Sequence, residues 1–201
     1  MKKIIAIICC CMPFLMQAQS EAQVQTHMAA AETARAGGNL EETRFQLQEA
    51  LVELDKVIGQ KILAALPTQI KDLKADTGQD QYTSIYTGMS GLFVERTYTS
   101  TSDPSKKLRL TLMNDSPALA SLMKMMNNSF MASMAGMEII RLDGYKAVVE
   151  EVEGSDPLVV NINLPFDDSL LTLECTKCAD QKEATDLATE FPVKTIIEIA
   201  Q

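Results

Sequence analysis

The feature that most constrains this chain is a change of hydrophobic period partway along it. Leu40, Leu47, Leu51, Leu54, Ile58 and Ile62 recur near helical spacing, and Pro67 marks the end of that pattern. From Gly91 onward the texture differs. LFVERTYTS alternates polar and apolar side chains, and KLRLTLMN does so more cleanly, with Leu108, Leu110 and Leu112 on one face. A chain that begins in helices and continues in alternating runs favours an α+β fold, an antiparallel sheet with helices on one face.

Punctuation residues set the element boundaries. Gly37-Gly38-Asn39 divides residues 23–76 into a helical hairpin, because glycine supplies the left-handed conformation that ends a helix. Residues 77–90 read as a polar connection, and residues 91–201 as the α+β domain. STSDPSKK is turn chemistry between the first two strands. A helix follows, with Asp115 or Ser116 as cap and Pro117 in its first turn. MEIIRL and YKAVVEEVE flank Asp143-Gly144, a strong hairpin signal. LVVNINL and LLTLEC form another pair, then comes a helix with Ala184, Leu187, Ala188 and Phe191 on one face. The closing PVKTIIEIAQ suits either a strand or a short helix. About six strands are expected.

AETARAGGNLEETRFQLQEAL resembles one tetratricopeptide repeat: Gly38, Leu40, Leu47, Ala50 and Leu51 fall on the pattern, whereas Thr43 replaces a small apolar residue and no proline follows. Only one unit is visible, and an array needs about three to bury a continuous core. A hairpin packed on its neighbour is therefore expected. The element order of the remainder resembles PsbP-like domains and some extracytoplasmic sensor domains of anti-sigma factors. SGLFVERTYT, LTLMNDSPALASLM and DGYKAVVEE together resemble a group of secreted Bacteroidetes proteins. That likeness brings no assigned chemistry, and fold analogy alone says little about function.

Lys2 and Lys3 precede an apolar run from Ile4 to Met16, the build of a secretory signal peptide and too short for a spanning helix. Residues 1–22 are read as this signal, with cleavage after Ala18 or Ala22. Lipidation at Cys9, Cys10 or Cys11 is disfavoured because Ile or Cys precedes each. No other run suits a membrane span, so a periplasmic or extracellular location is expected. After cleavage at Ala18, 16 basic residues face 27 acidic ones, a net charge of −11. That balance disfavours nucleic-acid backbones, where Lys and Arg must replace counterions.

Cleavage leaves Cys175 and Cys178 as the remaining cysteines. Leu171, Leu173 and Cys175 share one face of a strand, and Asp180 with Glu183 makes a capping box that puts Cys178 just before a helix. Strand, Cys-x-x-Cys, helix is also the local context of thioredoxin-like enzymes, and a helix N-terminus stabilises thiolate. Three facts oppose that enzyme. Only 23 residues follow Cys178, Glu174 stands where an aromatic precedes the pair, and no βαβ unit lies upstream. Structural zinc wants four ligands, and the lone His27 is far away on a helix. A local structural disulfide in an oxidising compartment is the expected state.

LMKMMNNSFMASMAGM holds six methionines, from Met123 to Met137. Unbranched Met fills irregular core space and can line an adaptable surface. The expected groove is formed by Leu119, Leu122, Met123, Met126 and Phe130 against a facing sheet. A Cu(I) site at Met131, Met134 and Met137 is the alternative, thioethers being soft ligands. Glu41/Glu42, Glu150/Glu151 and Asp167/Asp168 read as solvated charge. There is no glycine-rich phosphate loop, nucleophile elbow or His pair. The expectation is a non-catalytic exported module without cofactor, binding a protein partner or a small apolar ligand. The alternative is a thiol-redox or Cu(I)-handling protein using Cys175, Cys178 and the Met-rich helix.

Overall fold

The structure, a computed structural model, describes residues 12–84, 91–126 and 136–201, with side chains from residue 20 onward. Two long helices open it, α1 (Met12–Ala36) and α2 (Leu40–Ala65). Gly38 between them takes a φ of 77°, and the Asn39 side chain accepts the Glu42 N–H at 3.1 Å, so glycine ends one helix and asparagine caps the next. α1 runs without a break through Ala18 and Ala22.

Nine strands form one antiparallel sheet among the described residues. They are β1 (Gln69–Ile70), β2 (Leu73–Ala75), β3 (Gln81–Ser84), β4 (Leu92–Ser100), β5 (Lys107–Asn114), β6 (Glu138–Leu142), β7 (Tyr145–Glu151), β8 (Val159–Phe166) and β9 (Ser169–Thr176). Their order is β1-β2-β4-β5-β9-β8-β7-β6, and β3 pairs with β4 beside β2. The count corrects the expectation of about six. β4 to β9 are the six alternating runs, whereas β1 to β3 are too short to show a period. They exist because one edge of β4 would otherwise be unpaired: β2 bonds its Tyr98–Ser100 end and β3 its Leu92–Glu95 end.

The remaining helices are α3 (Leu119–Met126), α4 (Gln181–Ala188) and α5 (Val193–Ala200). α5 resolves the ambiguous C-terminal stretch as a helix that buries Val193, Ile196 and Ile197. The second half of α2, with α4 and α5, covers one sheet face, and the main core lies between. Along β5 and β9 the facing pairs Leu112/Leu171, Leu110/Leu173 and Leu108/Cys175 all point into it. α3 lies on the other face over Val148 and Leu170, which corrects the expectation that helices gather on one side. The leucine stripe of α2 is corrected too. Ile62 is buried, but α2 enters the main core only from Ile58, and Leu40, Leu47, Leu51 and Leu54 are exposed.

Two contacts fix α2 on the sheet. Gly59 sits over β3, where a side chain's first carbon would fall 2.7 Å from Tyr82 Cβ. Arg96 of β4 is buried on the core face; its Nε and Nη2 donate to Asp80 at 2.8 and 2.5 Å, and its Nη1 donates to the Leu66 carbonyl that ends α2 at 3.4 Å. A cation is favourable there, because the last carbonyls of a helix carry partial negative charge. Nearby, the Tyr98 hydroxyl donates to the Pro67 carbonyl at 2.9 Å, and its ring meets Phe191 edge-on at 5.5 Å.

Candidate functional site

Strand parity builds the site. Because successive side chains alternate, Val148 and Glu150 of β7, Asn161 and Asn163 of β8, and Leu170, Thr172 and Glu174 of β9 all leave the sheet on the face opposite the main core. Ladder pairing sets them in rows: Glu150 opposes Asn161, Asn161 opposes Glu174, and Glu174 opposes Arg109. Val148, Asn163, Thr172 and Thr111 make the next row.

α3 crosses one end of this face. Leu122 is buried with Val148 and Leu170, and Leu119, Met126, Met137 and Ile139 pack around them. Between α3 and the strands lies a cleft of about 340 Å³ whose apolar wall includes Leu122, Met125, Met137 and Leu170. Its floor is polar and internally bonded: Thr172 Oγ1 donates to Asn163 Oδ1 at 2.9 Å, and Asn163 Nδ2 donates to Glu150 Oε1 at 3.0 Å. Asn161, also on the floor, has a buried amide oxygen without a hydrogen-bond partner. Beyond α3 the floor continues as a polar trough. There Arg109 bonds Glu174 and lies 4.0 Å from Glu95, and the Glu174 hydrogen bond raises the Arg109 pKa. Unsatisfied buried oxygens are uncommon, and the cleft's volume falls at the lower end of the range of small-molecule sites, with half of its lining residues polar.

Of the expected groove residues, Leu119, Leu122 and Met126 face the sheet. Met123 is exposed instead, because it directly follows Leu122 and a helix turns about 100° per residue. Phe130, Met131 and Met134 lie outside the described residues. Met137 belongs to the apolar cluster under α3. Among the described residues no three His, Cys, Asp or Glu side chains gather as a metal-ligand group. Sequence reasoning did not single out Leu170, Asn161, Asn163 or Thr172, and it read Glu150 as solvated charge, whereas Glu150 lies half-buried in the cleft floor and accepts from Asn163. A signal for them exists in the doublets Ile139-Ile140, Val148-Val149 and Leu170-Leu171: two adjacent apolar residues in a strand mark burial on both faces, and each doublet touches the region under α3.

The cysteines lie elsewhere. Cys175 stands between Leu108 and Val160 in the ladder and points into the main core. The Cys175 and Cys178 sulfurs are at disulfide-bonding distance, with Cα atoms 5.9 Å apart. Lys177 turns the chain between them with a φ of 61°. Asp180 Oδ1 accepts the Glu183 N–H at 2.8 Å and caps α4 as expected, while Glu183 reaches back to the Ala179 N–H and to Lys106. Both sulfur-bearing residues are nearly inaccessible, at 1% and 5% exposure.

No helix among the described residues is long and apolar enough to cross a membrane. Comparison of the chain with protein-family models, with curated proteins and with solved structures finds no match.

Proposed function

We propose that this chain is an exported, non-catalytic binding module whose ligand is a small, largely apolar molecule held between α3 and strands β7 to β9. The observation that carries this reading is the cleft of about 340 Å³, apolar on its helix side and polar on its strand side. Apolar contact would supply affinity there, and the amide and carboxylate groups of the floor would orient the ligand. The thiol-redox alternative is not favoured by the burial of Cys175 and Cys178, since thiol–disulfide exchange needs access to a sulfur. Met137, part of the alternative copper set, is already packed against aliphatic neighbours.

The test is a titration with a neutral aromatic probe, 2-naphthol, followed through methionine methyl resonances. Saturable shifts at Met125 and Met137, absent from a Ser121→Trp variant that fills the cleft mouth, are expected. Shifts spread evenly over all methionines, or none at saturating probe, would refute the site.

A further inference from the structure

α2 carries Leu40, Arg44, Leu47, Leu51, Leu54 and Ile58 at spacings of 4, 3, 4, 3 and 4 residues. That alternation is the a/d seam of a heptad repeat. The seam is open: Leu40 is 74% exposed, Leu47 43%, Leu51 60% and Leu54 40%. Its open part, from Leu40 to Leu54, runs for roughly 21 Å along the helix at 1.5 Å per residue, and Ile58 beyond it packs against the main core. The adjoining side of α1 is mixed, with Ala22 and Val24 beside Glu21 and Gln25, and Glu21 pairs with Lys61 of α2 at 3.3 Å. Val24 and Gln25 line a groove with Leu54, and helical spacing sets the exposed Met28 in line with Gln25.

A 3-4 spacing suits another α-helix as occupant, because the holes of a helix repeat at that period. Charge then selects a second copy of the chain. Arg44 interrupts the leucines, and among the described residues it joins no ion pair, unlike Arg35, Arg96 and Arg109. Asp55 flanks the other end of the seam, its Oδ2 accepting from Ser84 Oγ at 2.6 Å, with no cation paired to it among the described residues. Suppose two copies pair antiparallel with Leu47 against Leu51 of the partner subunit. Arg44 then meets Leu54 of the partner subunit and comes within side-chain reach of the partner's Asp55, while Leu40 lies at the rim, where the partner's α2 turns into its own core. The two-fold axis repeats each of these contacts. A parallel pairing would instead bring the two Arg44 side chains together. The surface is thus complementary to itself only in the antiparallel sense, which is what a closed two-fold interface requires.

We propose that this face of α2 is a homodimer interface, two copies pairing as an antiparallel coiled coil centred between Leu47 and Leu51. Sedimentation velocity on the exported chain at roughly 100 μM reads the result directly. A dimer is expected for the natural sequence. Leu47→Glu/Leu51→Glu should give a monomer with unchanged helical circular dichroism, and Arg44→Glu should weaken association at least about tenfold through like charge beside Asp55. A second measurement holds even if the double variant fails to fold. Mixed chains carrying Leu47→Cys and Leu51→Cys should cross-link to each other faster than either cross-links to itself. A monomeric natural chain, a dimer that survives the two glutamates, or preferential self-cross-linking of Leu47→Cys would overturn the proposal.

Discussion

Removing the Asp80 carboxylate tests what anchors the helical hairpin to the sheet. Arg96 is 5% exposed, and its side chain and that of Asp80 retain 6% and 14% of their accessible surface. In Asp80→Ala the guanidinium keeps only its 3.4 Å contact to the Leu66 carbonyl, in a site too dry to hydrate a charge. Breaking a buried pair from one side costs about 3–5 kcal/mol. For a domain of this size each kcal/mol moves the melting temperature by about 2–4 °C, so a fall on the order of 10 °C is expected. Arg96→Met/Asp80→Ala should recover at least about 2 kcal/mol of that loss, because the uncompensated charge is gone and the methionine stem still fills the space. Urea unfolding of the natural chain, both single variants and the double completes the cycle. If Asp80→Ala costs less than about 1 kcal/mol, or if the two substitutions simply add, the pair behaves as an exposed one and the anchoring argument fails.

Three further outcomes follow from local geometry. Gly59→Ala should destabilise the chain by about 1–3 kcal/mol despite alanine's better helix propensity, since the new carbon meets Tyr82 Cβ at 2.7 Å, and in thermal melts its cost should shrink in a Tyr82→Gly background, which lacks that carbon. Reduction of Cys175–Cys178 should lower stability by only about 2 kcal/mol, the entropy of closing so short a loop, and a thiol–disulfide titration should place its potential below about −300 mV. Tyr98, whose pKa burial pushes up to about 12 from 10.0, contributes stability that is complete below pH 10 and lost as pH rises towards 12. Unfolding followed against pH should therefore steepen across that window and flatten in Tyr98→Phe, with the phenolate band at 295 nm reporting the ionisation.

Some elements of this protein are written locally. Asp143 and Gly144 both take positive φ in the hairpin that their dipeptide demands. Asp180 caps α4 through a bond made within four residues. The alternation of β4, β5 and β9 told which side chains enter the core, because a strand's period is geometric and independent of its neighbours. The cleft was half legible. Leu119, Leu122 and Met126 announce an apolar helix face, but its floor draws on Glu150, Asn161, Asn163 and Thr172 from three strands, and no local pattern joins residues so far apart in sequence.

The chain's own order of residues determined period, parity and the cap of α4, where strands turn and which face of each strand is apolar. α3 departs from it, beginning at Leu119 and not with Pro117 in its first turn after an Asp115 or Ser116 cap. Only the tertiary structure decided the partners. Spatial neighbours such as β5 and β9 are separated by α3 and three strands in sequence, and α3 went to the opposite face from the other helices because Val148 and Leu170 offered it an apolar patch there. The leucines of α2 illustrate the difference most plainly. Their spacing specifies one face of a helix, but whether that face is buried depends on how far the sheet extends beneath it. Here α2 joins the sheet core only from Ile58 onward, leaving Leu40, Leu47, Leu51 and Leu54 at the surface.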